Sequence, residues 1–160
     1  MSNNSSIGSL TWAMRDTLMR YVTVIAKGSF DVAGEASVDE AGVFTFPLVR
    51  AESTEAGWRL FFTGSLHFQA HHGLLDIRII DPEIVVSPGA GSLLARTEPD
   101  STDTTAIVEL GPAAPLEEGD QLVWDAVPTR LLASAVEMFG TVYAAGTDMA
   151  PLGIRIAIDS

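Results

Sequence analysis

Apolar and polar positions alternate through most of this chain. Phe30 and Val32 are spaced by two, Phe44 and Phe46 oppose Val43 and Thr45, and Trp58, Leu60 and Phe62 fall on one face. Leu66, Phe68 and Ala70 oppose His67, Gln69 and His71, and Leu75, Ile77 and Ile79 follow Gly73. A period of two places alternate residues on opposite faces of a strand. Turn signals at Gly34, Gly42, Gly57 and Gly64 separate these runs, so residues 28–81 read as an antiparallel sheet. After the turn Asp81-Pro82, short strands are predicted over 84–86, 92–96, 104–110, 122–124 and 153–158, with loops at 87–91 and 111–120.

Two stretches carry a different period. Leu10, Met14, Thr17, Leu18, Tyr21 and Ile25 recur at three- and four-residue spacings, which predicts a helix over 9–25. Ser9 or Thr11 can cap its start and Lys27-Gly28 fits its end. The β-branched run Val22-Thr23-Val24-Ile25 weakens the last turn, where the helix can give way to a strand near Tyr21. A second helix is predicted over 128–139: Pro128 opens it, Leu131, Leu132, Ala135, Met138 and Phe139 line its buried side, and Gly140 ends it. The expected fold is mainly β with two helices (α+β), a sandwich-like antiparallel sheet with the helices flanking a ligand site. The 160 residues suit one domain, with no repeat or linker. Residues 1–8 are expected to be a disordered tail and 9–160 the domain.

Charge narrows the partners. Twenty-one acidic residues against nine basic ones leave a formal net charge of −12. Such a chain lacks the basic surface that nucleic acid or an anionic membrane requires. With no cysteine, disulfides, thiolate zinc sites, iron–sulfur clusters and cysteine nucleophiles are excluded. No apolar run approaches the ~20 residues of a membrane span, so no membrane insertion is expected of this chain. Residues 1–9 are polar and uncharged and lack the features of a secretory signal. Either the chain is cytoplasmic or a leader has been removed.

The candidate chemistry starts from few residues. His67, His71 and His72 suggest a metal cluster, but residues four apart on a strand lie roughly 13 Å apart. That separation is too large for His67 and His71 to share one zinc ion. No G-x-S-x-G nucleophile elbow is present, and Gly89-Ala90-Gly91 has no phosphate-loop continuation. Tyr21 sits on the inner face of the predicted first helix, where a tyrosine is ordinarily a core residue with one satisfied hydroxyl.

Four motifs, in order, carry a resemblance. Leu10-Thr11-Trp12 with Thr17, Leu18 and Tyr21 resembles the pattern L-T-W-x-x-x-x-S-F-x-x-Y, and Phe68 to Asp76 resembles F-x-G-H-x-G-x-L-D. Asp81-Pro82 follows at the familiar offset, and Pro128-Thr129-Arg130-Leu131 with the stretch Phe139 to Thr147 resembles a closing segment. Together they resemble the HtaA domain family, actinobacterial haem-binding domains of surface and secreted haem-uptake proteins, over about residues 9–157. The resemblance implies a β-rich fold with helices flanking haem, and iron ligated by Tyr21. It implies that His71, or His72 beside it, hydrogen-bonds that tyrosine, and that Thr17 contacts a haem propionate. Thr17 stands for the family's Ser, Leu18 for its Phe, and Ala70 and Ala135 each for a Gly.

The implied chemistry is coherent. Tyrosine is an established axial ligand of haem iron. A free phenol ionises at about pH 10. Ferric iron favours the phenolate by binding it, and a histidine donor to the ligating oxygen helps. Thr17 and Tyr21 are i and i+4 on a helix, with Met14 a turn earlier to pack the porphyrin edge and Arg20 available to a propionate. The expected function is non-enzymatic: holding ferric haem b for uptake, transfer or storage, with haem and other haem-uptake proteins as partners. The alternatives are a binder of another flat apolar molecule in the same pocket, or a haem-dependent enzyme such as a peroxidase.

Overall fold

The computed structural model describes residues 8–12, 29–39, 43–55, 57–70, 75–87, 90–98, 100–111, 115–137 and 144–157. Among them are twelve strands. They are β1 (Gly8–Trp12), β2 (Ser29–Ala33), β3 (Ser37–Val38), β4 (Phe44–Ser53), β5 (Trp58–Phe62) and β6 (Ser65–Ala70). Then come β7 (Leu75–Ser87), β8 (Ala90–Arg96), β9 (Thr105–Leu110), β10 (Leu116–Glu118), β11 (Gln121–Leu131) and β12 (Asp148–Ala157).

Eight strands close on themselves in the order β7–β5–β4–β1–β12–β11–β9–β8, every pairing antiparallel, and β8 pairs back to β7 from Ser87↔Ala90 to Ile80↔Arg96. The result is an eight-stranded antiparallel barrel. Closure removes the free strand edges that an open sheet must protect.

The period-two pattern fills this barrel. Leu10 and Trp12 of β1, Phe44 and Phe46 of β4, Leu60 and Phe62 of β5, Ile84 of β7, Trp124 of β11, and Leu152, Ile154 and Ile156 of β12 are all buried. An eight-stranded barrel is wide enough either to be filled by its own side chains or to hold one small ligand. Among the described residues, Trp12 and Trp124 take up much of this interior together with the aliphatic side chains above. That packing favours an end of the barrel as the place for a large ligand.

The expected α+β sandwich with two helices is therefore corrected. Among the described residues there is no α-helix, and none is long and apolar enough to cross a membrane. Where the first helix was to start, Gly8–Trp12 is a strand paired on both sides, with β12 and with β4. Ser9 and Thr11 are strand residues here, not caps. The remainder of that predicted helix lies outside the described residues. The second predicted helix begins instead as the end of β11, where Val127, Thr129 and Leu131 are buried and Pro128 and Arg130 exposed. It is followed by one 3-10 turn, Ala133–Ala135, with Ala135 buried. Pro128 is tolerated in the strand because β12 shifts register opposite it, between Val127↔Leu152 and Thr129↔Met149.

One hairpin rises out of the barrel wall. β5 gives way to β6 at Thr63-Gly64, and β7 is long enough to belong to both parts. Its first half pairs with β6, from Ala70↔Leu75 to Ser65↔Ile80, and its second half with β5, from Phe61↔Glu83 to Trp58↔Val86. β2 adds to the outer side of β6. Leu66, Phe68, Ile77 and Ile79 form the buried face of this extension, and Phe68 meets Phe44 edge-on at a centroid distance of 5.6 Å.

Candidate functional site

The strand registers point the ends of the motif-bearing segments toward one end of the barrel and the hairpin that extends beyond it. Residues 13–28 leave β1 after Trp12, which pairs with Phe44, the first residue of β4, and with Leu152. The same segment re-enters at Ser29, which pairs with Gln69 of β6, itself opposite Asp76 of β7. Residues 71–74 close that β6–β7 hairpin. Residues 132–147 connect the end of β11 to the start of β12, and Arg130 pairs with Asp148 there. The strand ends that flank these connections thus all face the same way: Trp12 and Asp148 stand at the barrel rim, and Ala70 and Leu75 at the far end of the hairpin beyond it, beside the start of β2.

Met14, Thr17, Arg20 and Tyr21 belong to residues 13–28, and His71 and His72 to residues 71–74. All six lie outside the described residues, as does Leu18. His67 is described. It stands on β6 between Asp31 of β2 and Arg78 of β7, and Arg78 Nε donates to its Nε2 at 3.3 Å. Among the described residues no group of three or more His, Asp or Glu is placed to hold a metal ion.

Two features of the framework fix the rim, and sequence reasoning gave neither its role. The first is Trp12. Its indole Nε1 donates to the Ala150 carbonyl at 2.8 Å, and Thr129 Oγ1 donates to the same oxygen at 2.8 Å. Opposite this stretch of β12 stands Pro128, which has no N–H to offer the ladder. Side-chain donors from β1 and β11 satisfy the carbonyl, and they anchor the last residue before the Tyr21 segment.

The second is Asp81, read from the sequence as a turn residue before Pro82. It lies within β7 with φ 49°, left-handed backbone that asparagine and aspartate tolerate better than most residues. Its carboxylate accepts from the Gly64 N–H at 3.0 Å and Thr63 Oγ1 at 3.4 Å, and pairs with Arg96 at 2.6 Å. Its own N–H donates to the Gly64 carbonyl at 2.8 Å. Arg96 also donates to the Ser101 carbonyl at 3.3 Å. One side chain thereby joins the β5–β6 bend, the β7 kink and the end of β8. The signal available in the sequence was Asp-Pro itself; the partner fifteen residues on was not readable.

A separate shallow cleft of about 200 Å³ lies on the outer barrel wall, lined by residues including Thr11, Trp124, Asp125, Gly153 and Arg155. It falls below the roughly 300–1,000 Å³ of drug-sized sites. The rim is the stronger candidate.

The HtaA family model matches residues 7–155. The chain belongs to the HtaA family. Solved HtaA-domain structures agree with the fold. The N-terminal domain of HtaA from Corynebacterium glutamicum is 25% identical, with a TM-score of 0.80 over 99% of this chain and 100% of that one. The C-terminal domain of the same protein is 23% identical, with a TM-score of 0.81 over 98% and 99%. HtaB from the same organism, described as a haem-binding protein, is 17% identical, with a TM-score of 0.69 over 94% and 92%. Among curated proteins the chain has no match.

Proposed function

We propose that this HtaA domain is a non-enzymatic haem binder that holds ferric haem b through the phenolate oxygen of Tyr21, with His71 or His72 donating to that oxygen. One arrangement supports the reading: the segment containing Tyr21 follows β1 at the barrel rim and ends at Ser29, which pairs with Gln69 near the end of β6 that leads into the connection containing both histidines. Family membership supports it, and so does the description of HtaB.

The donor set suits the group. A phenolate is a hard oxygen donor and favours ferric iron, while a neutral imidazole N–H can orient it. The charge distribution suits it too. Residues 13–28 hold Arg15, Arg20 and Lys27 against Asp16 alone, a net +2 in a chain of −12. Arg20 and the Thr17 hydroxyl would meet the propionates, and Met14 would pack the porphyrin edge. Bound haem supplies the iron and the colour; this chain's residues bind it, orient it and hold the proton beside the ligating oxygen. The proposed role is uptake or transfer, passing haem to other haem-uptake proteins.

Titration with ferric haem tests the reading. A saturable Soret band is expected for the parent chain. Tyr21→Phe should abolish it or change its form, whereas His71→Ala or His72→Ala should only weaken binding. If the parent shows no saturable band, haem is not the ligand. If Tyr21→Phe keeps the parent spectrum, the ligand assignment is wrong.

A further inference from the structure

We infer that Asp81 and Arg96 form a positioning pair that sets the angle at which the β6–β7 hairpin, and with it His71 and His72, leaves the barrel. The consequence for haem rests on the function proposed above; the consequence for the hairpin does not.

Three chain features converge on the pair. β5 and β6 are one direction of chain broken at Thr63-Gly64, and β7 is broken opposite, where its pairing with β8 shifts register between Ile80 and Glu83. Asp81 spans the break by accepting from Gly64 and Thr63 with one oxygen and pairing with Arg96 through the other. A non-glycine residue in left-handed backbone persists only where its surroundings over-determine it. Here they do so at the one point where the hairpin parts from the wall. Arg96 ends β8, and its second contact, to the Ser101 carbonyl, ties it to the turn that follows. The guanidinium therefore couples the hairpin's base to the barrel rim, while the four-residue connection with both histidines lies at the other end of the same two strands.

Neither residue is assigned a contact with haem. Each acts through the lever of β6 and β7. A hairpin of five or six residues per strand is roughly 17–20 Å long, so a small change of angle at Asp81 becomes a displacement of ångströms at the connection. Hydrogen bonds to a ligating oxygen weaken steeply with such displacement.

Asp81→Asn tests this, because it keeps the size, the acceptor toward Gly64 and the tolerance of left-handed backbone while removing the charge. In the haem-free chain, amide hydrogen exchange over residues 65–80 should quicken by roughly two- to five-fold, the scale of one partly exposed ion pair, while exchange in β1, β11 and β12 stays unchanged. In the haem complex, loss of haem to an excess of a scavenging apoprotein should quicken by a similar factor, with a shifted ferric electron paramagnetic resonance signal. Arg96→Gln should reproduce both effects. In a chain already carrying His71→Ala and His72→Ala, Asp81→Asn should add nothing to haem loss.

Unchanged exchange in the hairpin overturns the positioning role. Faster exchange with unchanged haem loss and spectrum overturns the link to the ligand. An additive effect on top of the histidine changes shows that the pair acts on stability alone, which also overturns that link. If the parent chain takes up no haem, the proposed function falls, and exchange in the haem-free chain alone decides the positioning role.

Discussion

At the scale of single residues, the Ala150 carbonyl shows how one proline is accommodated. Pro128 offers no N–H, and the indole of Trp12 and the hydroxyl of Thr129 each reach the Ala150 oxygen at 2.8 Å. Trp12 is 1% exposed and Thr129 2%, so water cannot replace either donor. Trp12→Phe removes one hydrogen bond and part of a packed ring system. The remaining donor keeps the carbonyl satisfied, so the expected loss is about 1–2 kcal/mol. Thr129→Val, which is nearly isosteric, should cost about 1 kcal/mol. The double variant should lose more than the two together, because only then is the carbonyl stripped of both side-chain donors. Urea denaturation of the four chains reads this directly. Simple additivity would mean that the two donors are not sharing one acceptor in solution.

At the scale of elements, the bend between β5 and β6 depends on Gly64. Its φ is +119°, and a Cβ there would come within 2.6 Å of the Ala36 Cβ and 2.7 Å of the Ala36 nitrogen. Gly64→Ala therefore meets both unfavourable backbone and a clash, and should destabilise the chain by on the order of 2–4 kcal/mol. Thermal denaturation followed by circular dichroism checks it; a midpoint within a degree or so of the parent would contradict the bend described here. The same elements explain what could be read in advance. β2, β4, β5, β6 and the first half of β7 were legible because one face is buried, as with Leu66 and Phe68 against His67 and Gln69, and because glycine turns separate them, whereas the two residues of β3, Ser37–Val38, are too few to show a period. β1 was not, since Leu10 continues into Met14 and Tyr21 at helical spacings and only five residues belong to the strand. The end of β11 was not, since Pro128 before an apolar run is also how a helix opens. Barrel closure was hidden in the register of β7, whose two halves serve different partners. Tyr21 with His71 or His72 enters only as what the HtaA resemblance implies, since no spacing rule joins residues fifty apart, and all three lie outside the described residues.

At the scale of the molecule, the proposed haem, an anion, would approach a chain with a net charge of −12. Among the described residues Arg50, Arg59, Arg96, Arg130 and Arg155 each pair with a carboxylate, at 2.9, 2.6, 2.6, 3.4 and 3.8 Å respectively. Little positive field leaves the barrel wall, and the net +2 of residues 13–28 stands against a negative background. Ionic strength separates the two. The screening length is about 30 Å at 0.01 M salt and about 8 Å at 0.15 M. At low salt an approaching ferric haem, anionic through its two propionates, feels the whole chain; at physiological salt it feels mainly the residues beside it. Association of ferric haem, followed by stopped-flow absorbance, should therefore speed up as salt rises from 0.01 to about 0.15 M, the reverse of a basic protein capturing an anion. Replacing Arg15, Arg20 and Lys27 by glutamine should steepen that dependence by removing the local attraction. A parent chain whose association slows monotonically with added salt would mean that the basic segment, rather than the barrel, governs the encounter, and the acidic wall would then have no part in how the ligand arrives.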